Sequence, residues 1–209
     1  MLGSHLHLDS RTATSQVTNE AAAVAARAFF TDPFFEHLGP PALLRYRGLS
    51  LFFRANLRHL GPKGRLTTVR DNRDRVLGVS AWITTDGYPL PLRHDLGSTP
   101  GTVRALYRRP RALLDGLAYL NAMAKNHPKE PHWYLFLLVA DPEVQRSGIG
   151  RALLEDALVE VDKEGVAAYL ETQKQDNLAY YQRFGFELVG ELTPTKSGPP
   201  LYCMRRAPR

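Results

Sequence analysis

Residues 132–172 read HWYLFLLVADPEVQRSGIGRALLEDALVEVDKEGVAAYLET, and this stretch decides the fold. It opens with an almost continuously apolar run, 132–140, which is typical of a strand buried on both faces. Over 150–163, apolar residues recur at helical spacing, and Gly165 stands where a helix C-cap belongs. A second apolar run, 166–172, follows, so the order strand–helix–strand predicts a parallel pair with a right-handed crossover.

The connection between the first strand and the helix reads QRSGIG at 145–150, followed by Arg151. Ligands of open α/β sheets collect at the carboxyl ends of the strands, where the next helix presents free backbone N–H groups. Gly148 and Gly150 allow close approach of the backbone to a bulky group, and Arg146 adds positive charge beside Arg151. This combination predicts an anion-binding turn suited to phosphate.

Three phosphate-binding motifs compete for this turn. A P-loop requires Gly-Lys-Ser/Thr, whereas this chain has Gly-Arg-Ala at 150–152. A dinucleotide motif requires GxGxxG directly after the strand, but GIGRAL lacks the third glycine and DPEVQRS intervenes. The pattern Q/R-x-x-G-x-G/A is matched in full by Gln145, Gly148 and Gly150. For the glycines alone, a tight strand-to-helix turn without a ligand remains an equal alternative.

The rest of the chain predicts further helices and strands around this unit. The first residues, to about Thr14, read as extended, and Asn19 is a candidate cap for a helix that breaks at Asp32-Pro33. Residues 86–101 are rich in Pro and Gly and predict a loop. The remaining predicted helices are Ala42–His59, 102–126 with an interruption at Pro110, and 177–184, and the remaining strands are 65–70, 76–85, 186–191 and 201–205.

Composition limits the class of protein. The 209 residues are 44% hydrophobic with a net charge of +6, which predicts one folded domain rather than a disordered chain. The basic residues are scattered, so we expect no nucleic-acid partner. Without a long apolar segment the sequence predicts no membrane partner and a cytoplasmic location. The single cysteine, Cys203, reads as a buried thiol, and no metal site is expected because His37, His94, His127 and His132 lack metal-ligand spacing.

The segment from His127 to Phe186 resembles the GCN5-related N-acetyltransferase (GNAT) superfamily. The residues that carry the resemblance are HPKEPHWYLFLL, DPEVQRSGIGRALLE and AAYLETQKQDNLAYYQRFGF, with LYCMRRAP near the C-terminus. It extends to the puromycin N-acetyltransferases within that superfamily. It implies an α/β fold with a mixed, mostly antiparallel sheet of about seven strands flanked by helices. It also implies one GNAT domain over 1–209, with an acceptor-binding half at about 1–126 and an acetyl-CoA-binding half at about 127–209.

The same resemblance implies where acetyl-CoA, the only co-substrate expected, would bind. The parallel pair would splay apart, the pantetheine arm would pair with backbone groups of 138–140, and the glycine turn would hold the pyrophosphate. Asn177 would contact the cofactor from the start of the next helix. The residues assigned to the cofactor are Leu138, Val139, Ala140, Gln145, Arg146, Ser147, Gly148, Ile149, Gly150, Arg151, Asn177 and Tyr181.

Two residues are candidates for proton transfer. An alkyl amine with a pKa of about 10.4 arrives protonated at neutral pH and must lose a proton before it attacks the thioester. Glu171, in the motif LET at a strand end, is the candidate base, and its alternative role is to cap a loop N–H. The family pattern N-x-x-x-Y-x-x-x-G-F aligns with Asn177, Tyr181, Gly185 and Phe186, so the resemblance implies that Tyr181 is the acid that protonates the thiolate, which leaves Tyr180 for the core. Aromatic packing is the alternative role for both tyrosines.

The acceptor site is less well determined by the sequence. The resemblance implies that Phe34, Phe35 and Trp82 line it, although core packing explains each residue as well. We expect a small primary amine as the acceptor, such as an aminonucleoside antibiotic, and a monomer or homodimer. A protein or peptide amine is the second alternative. A CoA-binding sensor without catalysis is the third, and the presence of both Glu171 and Tyr181 disfavours it.

Overall fold

The computed structural model describes residues 6–10, 14–39, 41–60, 64–85 and 109–209, together with Gly3 and Gly87. These residues form one seven-stranded sheet and six α-helices. The strands are β1 (Leu6–Asp9), β2 (Gly64–Asp71), β3 (Val76–Ile83), β4 (His132–Ala140), β5 (Ala167–Thr172), β6 (Glu187–Leu192) and β7 (Leu201–Arg206). The helices are α1 (Ser15–Ala28), α2 (Pro33–Leu38), α3 (Ala42–Leu60), α4 (Pro110–Asn126), α5 (Ile149–Glu164) and α6 (Asp176–Gln182).

The sheet has the strand order β1-β2-β3-β4-β5-β7-β6. Every neighbouring pair is antiparallel except β4 and β5, which are parallel and joined through α5. The predicted mixed, mostly antiparallel sheet and its single strand–helix–strand unit are therefore confirmed.

The two faces of the sheet carry separate cores. Helices α1 and α3 pack on one face, and alternate β3 residues Val79, Ala81 and Ile83 point toward them. Helix α5 packs on the other face, where Trp82 of the same strand joins its core. Alternation along β3 thus assigns neighbouring side chains to opposite layers.

Strands β4 and β5 pair only at their amino-terminal ends. Their register covers three residue pairs and ends at Tyr134↔Tyr169, although β4 continues to Ala140. A register shift against β3 leaves Phe136 as an extra residue in β4 just beyond this point. Such a bulge bends its strand and increases the local twist, so β4 diverges from β5 along the half that leads to α5.

The first two helices begin differently from the prediction. Helix α1 starts at Ser15 because the hydroxyl of Thr14 accepts a hydrogen bond from the N–H of Val17, whereas we expected Asn19 to be the cap. The Asp32-Pro33 break also starts a new helix. Asp32 accepts from the N–H of Phe34, and Pro33 occupies the first helical position, which tolerates proline.

The remaining boundaries lie close to their predicted positions, and the closest agreement is in the last third of the chain. The predicted helix 102–126 is observed from Pro110, and its first residues lie outside the described part of the chain. The predicted loop 86–101 lies outside it as well, except for Gly87. Within the described residues, every helix is too short or too polar to cross a lipid bilayer.

Candidate active site

The glycine turn ends in a set of backbone donors without acceptors inside the helix at the start of α5. Gly148 caps the helix with φ 88°, a left-handed conformation that favours glycine, and Arg146 also has a positive φ of 65°. The first hydrogen bond within the helix runs from the N–H of Ala152 to the carbonyl of Gly148. The N–H groups of residues 149–151 therefore have no acceptor within the helix and are available to an anion.

The side chains of the turn differ in what they offer. Arg146 is exposed, as are Gln145 and Ser147, and the Ser147 hydroxyl donates to the carbonyl of Val144 at 2.6 Å. Ile149 is only 1% exposed and packs in the core, so it offers a ligand its backbone alone. The guanidinium of Arg151 donates to Glu155 at 2.8 Å. Because Arg151 shares its charge with this carboxylate, Arg146 is the less neutralised cation of the turn.

Tyr180 packs against the core with its ring and reaches this turn with its hydroxyl. A Cβ at Gly150 would stand 3.0 Å from the Tyr180 hydroxyl oxygen, so the glycine leaves room for the phenol. The hydroxyl is buried and has no hydrogen-bond partner among the described residues. Burial raises the pKa of Tyr180 to about 12, so the phenol remains protonated and can donate. The Tyr180 ring packs against the core cluster, in line with the expectation that Tyr180 is a core residue, while its hydroxyl reaches the turn.

Tyr181, one position along α6, lies in the core between the sheet and α5. Its ring contacts Phe186 at a centroid distance of 5.8 Å, and the side chain belongs to the same cluster as Trp82 and Trp133. Burial raises its pKa, which keeps the phenol protonated, as a proton donor must be. Asn177, at the start of α6, donates to the hydroxyl of Thr172 at 2.8 Å and so ties the helix to the end of β5.

The open side of β4 leads to the turn. Residues 138–140 pair with β3 on one side, with the register Ser80↔Leu138, Val79↔Val139 and Gly78↔Ala140. Beyond Tyr134 no described residue of β5 pairs with the other side of β4. An extended chain with amide groups can pair with such a strand edge, as a further strand would.

Glu171 lies on β5, across the gap that opens between β4 and β5 beyond Tyr134 and Tyr169. Its side chain is 2% exposed, and neither carboxylate oxygen accepts a hydrogen bond from the described residues. Burying a carboxylate without donors costs free energy, and the lack of donors separates Glu171 from a strand-end carboxylate that caps a loop N–H. The Nδ1 atom of His127 lies 3.8 Å from Oε1 of Glu171.

His127 contacts a second histidine, His132. From the sequence we weighed these two residues only as metal ligands and expected no metal site. The Nε2 atoms of His127 and His132 are 2.9 Å apart, and Nδ1 of His132 lies 2.7 Å from the carbonyl oxygen of Glu130. Both rings pack against Tyr169. The sequence signal was the pair of histidines that brackets PKEP immediately before the apolar strand. His, Cys, Asp and Glu side chains among the described residues form no group of three or more suited to a metal ion.

Of the three predicted acceptor residues, Phe34 and Phe35 contact each other at a centroid distance of 5.1 Å, and Trp82 lies apart from them. Phe34 contacts Tyr119 of α4 at a centroid distance of 4.8 Å, and Phe35 packs against Phe52 and Phe53 of α3. Both phenylalanines are half-buried. Trp82 is fully buried on the α5 side of the sheet, so the expectation that it lines a pocket with them is wrong.

Phe34 belongs to a polar and aromatic cluster on the α1–α3 side. His37 of α2 lies 2.8 Å from the carboxylate of Asp115 in α4, and the hydroxyl of Tyr119 donates to the carbonyl of Pro199. The loop between β6 and β7 therefore closes onto α2 and α4. An ion pair between Lys174 and Asp32 at 3.4 Å connects this group to the loop that follows Glu171.

The sequence is similar to acetyltransferases. Residues 101–186 match the Acetyltransferase (GNAT) family. An acetyltransferase of Agrobacterium fabrum is 40% identical over 76 residues, which is 35% of this chain and 56% of that protein. The [ribosomal protein bS18]-alanine N-acetyltransferase of Escherichia coli is 44% identical over 55 residues, which is 25% of this chain and 37% of that protein. The chain thus spans about half or less of the length of these relatives.

The similarity of the fold covers nearly the whole chain. A crystal structure described as histone acetyltransferase HPA2 and related acetyltransferase, from Corynebacterium glutamicum, superposes with a TM-score of 0.72. The alignment covers 98% of this chain and 97% of that one, at 22% sequence identity, which supports the shared fold alone. The family match over 101–186 and this shared fold are both similarities to acetyltransferases of the GNAT family.

Proposed function

We propose that this chain is an acetyl-CoA-dependent N-acetyltransferase that transfers the acetyl group directly to a primary amine. The observation that carries the proposal is the early end of the β4–β5 pairing at Tyr134 and Tyr169, with a turn of free amides at the end of the open strand. This arrangement suits a ligand that is an amide-containing chain at one end and a diphosphate at the other. Acetyl-CoA has this form, and it would supply the activated acetyl thioester.

The backbone does most of the proposed cofactor binding. Amide and carbonyl groups of Leu138, Val139 and Ala140 pair with the pantetheine arm. The N–H groups of Ile149, Gly150 and Arg151 hold the diphosphate, with Arg146 nearby. Gln145, Ser147 and Gly148 shape the turn, and Asn177 fixes the start of α6 beside it. The missing Cβ at Gly150 leaves a donor, the Tyr180 hydroxyl, facing the same place.

The proposed proton transfers use Glu171 of β5 and Tyr181 of α6. Glu171 takes a proton from the acceptor ammonium, because its buried oxygens lack donors that would compete. Tyr181, which burial keeps protonated, donates to the departing sulfur. A backbone N–H near Leu138 or Val139 stabilises negative charge on the acetyl oxygen.

The preferred acceptor is a small primary amine, and an aminonucleoside antibiotic such as puromycin is the specific case we propose, with a role in antibiotic resistance. Phe34 is half-buried and offers aromatic surface to a planar group, with the fully buried Tyr119 packed against it. The β6–β7 loop is joined to Tyr119 through the carbonyl of Pro199. The relative that acetylates an alanine of ribosomal protein bS18 favours a protein α-amine as the second candidate. A cytoplasmic location and a monomer or homodimer remain predictions.

The test is thiol release from acetyl-CoA with puromycin, simple alkyl amines and an alanine-terminated peptide as acceptors, with mass spectrometry of each product. We expect faster turnover on puromycin than on the peptide. Turnover on the peptide alone would support the second candidate. If the folded protein binds acetyl-CoA but releases no thiol with any of the amines, the result would contradict the proposed acetyltransferase activity. It would favour a CoA-binding sensor.

A further inference from the structure

The hydrogen bonds around His132 fix the tautomers of both histidines. A backbone carbonyl accepts only, so the Nδ1 atom of His132, 2.7 Å from the carbonyl oxygen of Glu130, carries a proton. A neutral His132 then has a lone pair on Nε2. Because the Nε2 of His127 lies 2.9 Å away, it must be the donor of this bond.

The same reasoning reaches Glu171. With its proton on Nε2, neutral His127 has a lone pair on Nδ1, the atom 3.8 Å from Oε1 of Glu171. An ionised Glu171 and a neutral His127 therefore turn two acceptors toward each other. One added proton satisfies both groups, once the two atoms close by about 1 Å to hydrogen-bond distance.

We propose that His127 and His132 form a relay that removes the acceptor's proton from Glu171. This inference rests on the proposed function. The ammonium of the acceptor gives a proton to the Glu171 carboxylate, and Glu171 passes it to Nδ1 of His127. The resulting imidazolium keeps its Nε2–H bond to His132, which spreads the positive charge toward the surface at Glu130. The proton leaves to solvent as the product departs, and Glu171 is again ionised for the next acceptor.

The surroundings of the pair agree with this order of transfer. Burial lowers the pKa of His132, which keeps it neutral and able to accept a hydrogen bond at neutral pH. Burial and the nearby Glu171 raise the pKa of Tyr169, and burial raises that of Cys203, so neither group competes for a negative charge. The Tyr134 ring completes the packing around His127. On the outer side, Glu130 pairs with Arg205 at 3.1 Å.

His127 and His132 are positioning residues, so their test needs a readout that lost packing alone would not change. His127→Phe and His132→Phe retain the ring packing and remove the nitrogen atoms. For an alkyl amine with a pKa of about 10.4, we expect kcat/KM at neutral pH to fall about 10- to 100-fold. The deficit should be smaller for an α-amine with a pKa of about 8, and it should shrink as the pH rises, because more acceptor arrives neutral.

The control is His7→Phe, at an exposed position of β1 remote from Glu171, which should leave the pH profile unchanged. An equal loss at every pH for both amines would assign the histidines a purely structural role and overturn the relay. Unchanged kinetics in both variants would overturn it as well. In either case the wild type still transfers acetyl groups, so the proposed function is unaffected.

A second measurement does not depend on turnover. Nitrogen NMR of the histidine rings should place the proton of neutral His132 on Nδ1. The opposite tautomer of His132 would overturn the relay even if the protein acetylates nothing.

Discussion

Glu171 combines deep burial with two carboxylate oxygens that have no donors among the described residues, and the proposed chemistry begins there. The variant Glu171→Gln keeps its shape and removes its basicity. We expect kcat to fall by about two to four orders of magnitude, the range of general acid–base catalysis, with unchanged affinity for CoA. Steady-state thiol release and calorimetry with CoA measure the two quantities.

Glu187→Gln is the matched control, since Glu187 is an exposed residue of β6. It should behave as the wild type in both measurements. If Glu171→Gln has the same kcat as the wild type, this carboxylate does not act as the base.

Tyr180 and Tyr181 are neighbours in sequence and point into different surroundings. Tyr181→Phe should lower kcat, because it removes the protonated phenol assigned to the sulfur. Tyr180→Phe should raise the KM for acetyl-CoA instead, since its hydroxyl lies beside Gly150 in the diphosphate turn. Steady-state kinetics of the two variants test this assignment. A lower kcat in Tyr180→Phe and a higher KM in Tyr181→Phe would mean that the two roles are exchanged.

For single residues, the sequence predicted the positions that follow from a motif. It did not predict which face of the sheet a side chain occupies. Glu171 lies at a strand end beside the gap, as predicted. Trp82 was misplaced because alternation along β3 separates neighbours without telling which face holds the ligand. Whether His127 and His132 meet depends on how the PKEP turn folds back, which no periodicity reveals.

Among the elements, the turn into α5 depends on the left-handed conformation of Gly148. Gly148→Ala should lower the free energy of unfolding by about 1–2 kcal/mol, because a Cβ is unfavourable at positive φ. It should also weaken CoA binding, since relief of the strain moves the free amides. Urea unfolding and calorimetry measure both effects.

Gly48→Ala is the comparison for this substitution. Gly48 lies within α3, and an added Cβ there meets nothing within 4 Å. Stability should stay level or rise by about 0.5–1 kcal/mol, as for alanine in a helix, with CoA affinity unchanged. Equal losses of stability and of CoA affinity in the two variants would show that the turn has no special role.

A bidentate ion pair fastens α5 to β7. Arg206 is 3% exposed and donates to both carboxylate oxygens of Asp162, at 2.5 and 2.8 Å. These hydrogen bonds lower the pKa of Asp162, so the pair stabilises the fold above the ordinary aspartate pKa of about 4. The contribution is lost as the pH falls through the lowered folded-state value.

Asp162→Asn should therefore cost about 1–3 kcal/mol at neutral pH, since Arg206 remains buried beside a weaker acceptor. The difference in the free energy of unfolding between Asp162→Asn and the wild type should become smaller when urea unfolding is repeated below pH 4. If this difference stays constant down to acidic pH, the ionised carboxylate of Asp162 contributes nothing to the stability of the fold.

The elements themselves were predictable where pattern and capping agree. The run HWYLFLLVA and the Gly165 cap fixed β4 and the end of α5 to within a residue or two. The start of α1 was missed because Thr14 and Asn19 are both good caps, and only the packing of Val17 and Thr18 in the core selects the earlier one.

For the whole molecule, the sheet joins strands from both predicted halves of the chain. Strands β1–β3 come from the first half and β4–β7 from the second, so the central β3–β4 pairing connects the two. The mixed sheet followed from the sequence through its family resemblance. The acceptor side did not, because α2, α4 and the β6–β7 loop meet only through long-range contacts such as His37 with Asp115.

The central claim is that the diphosphate of CoA binds the free amides at the start of α5. Amide NMR during titration with CoA, and in parallel with pantetheine, which lacks the diphosphate, tests it most directly. We expect the N–H signals of Ile149, Gly150 and Arg151 to shift strongly with CoA and little with pantetheine. Shifts of equal size with both ligands, or unmoved signals at saturating CoA, would contradict the claim.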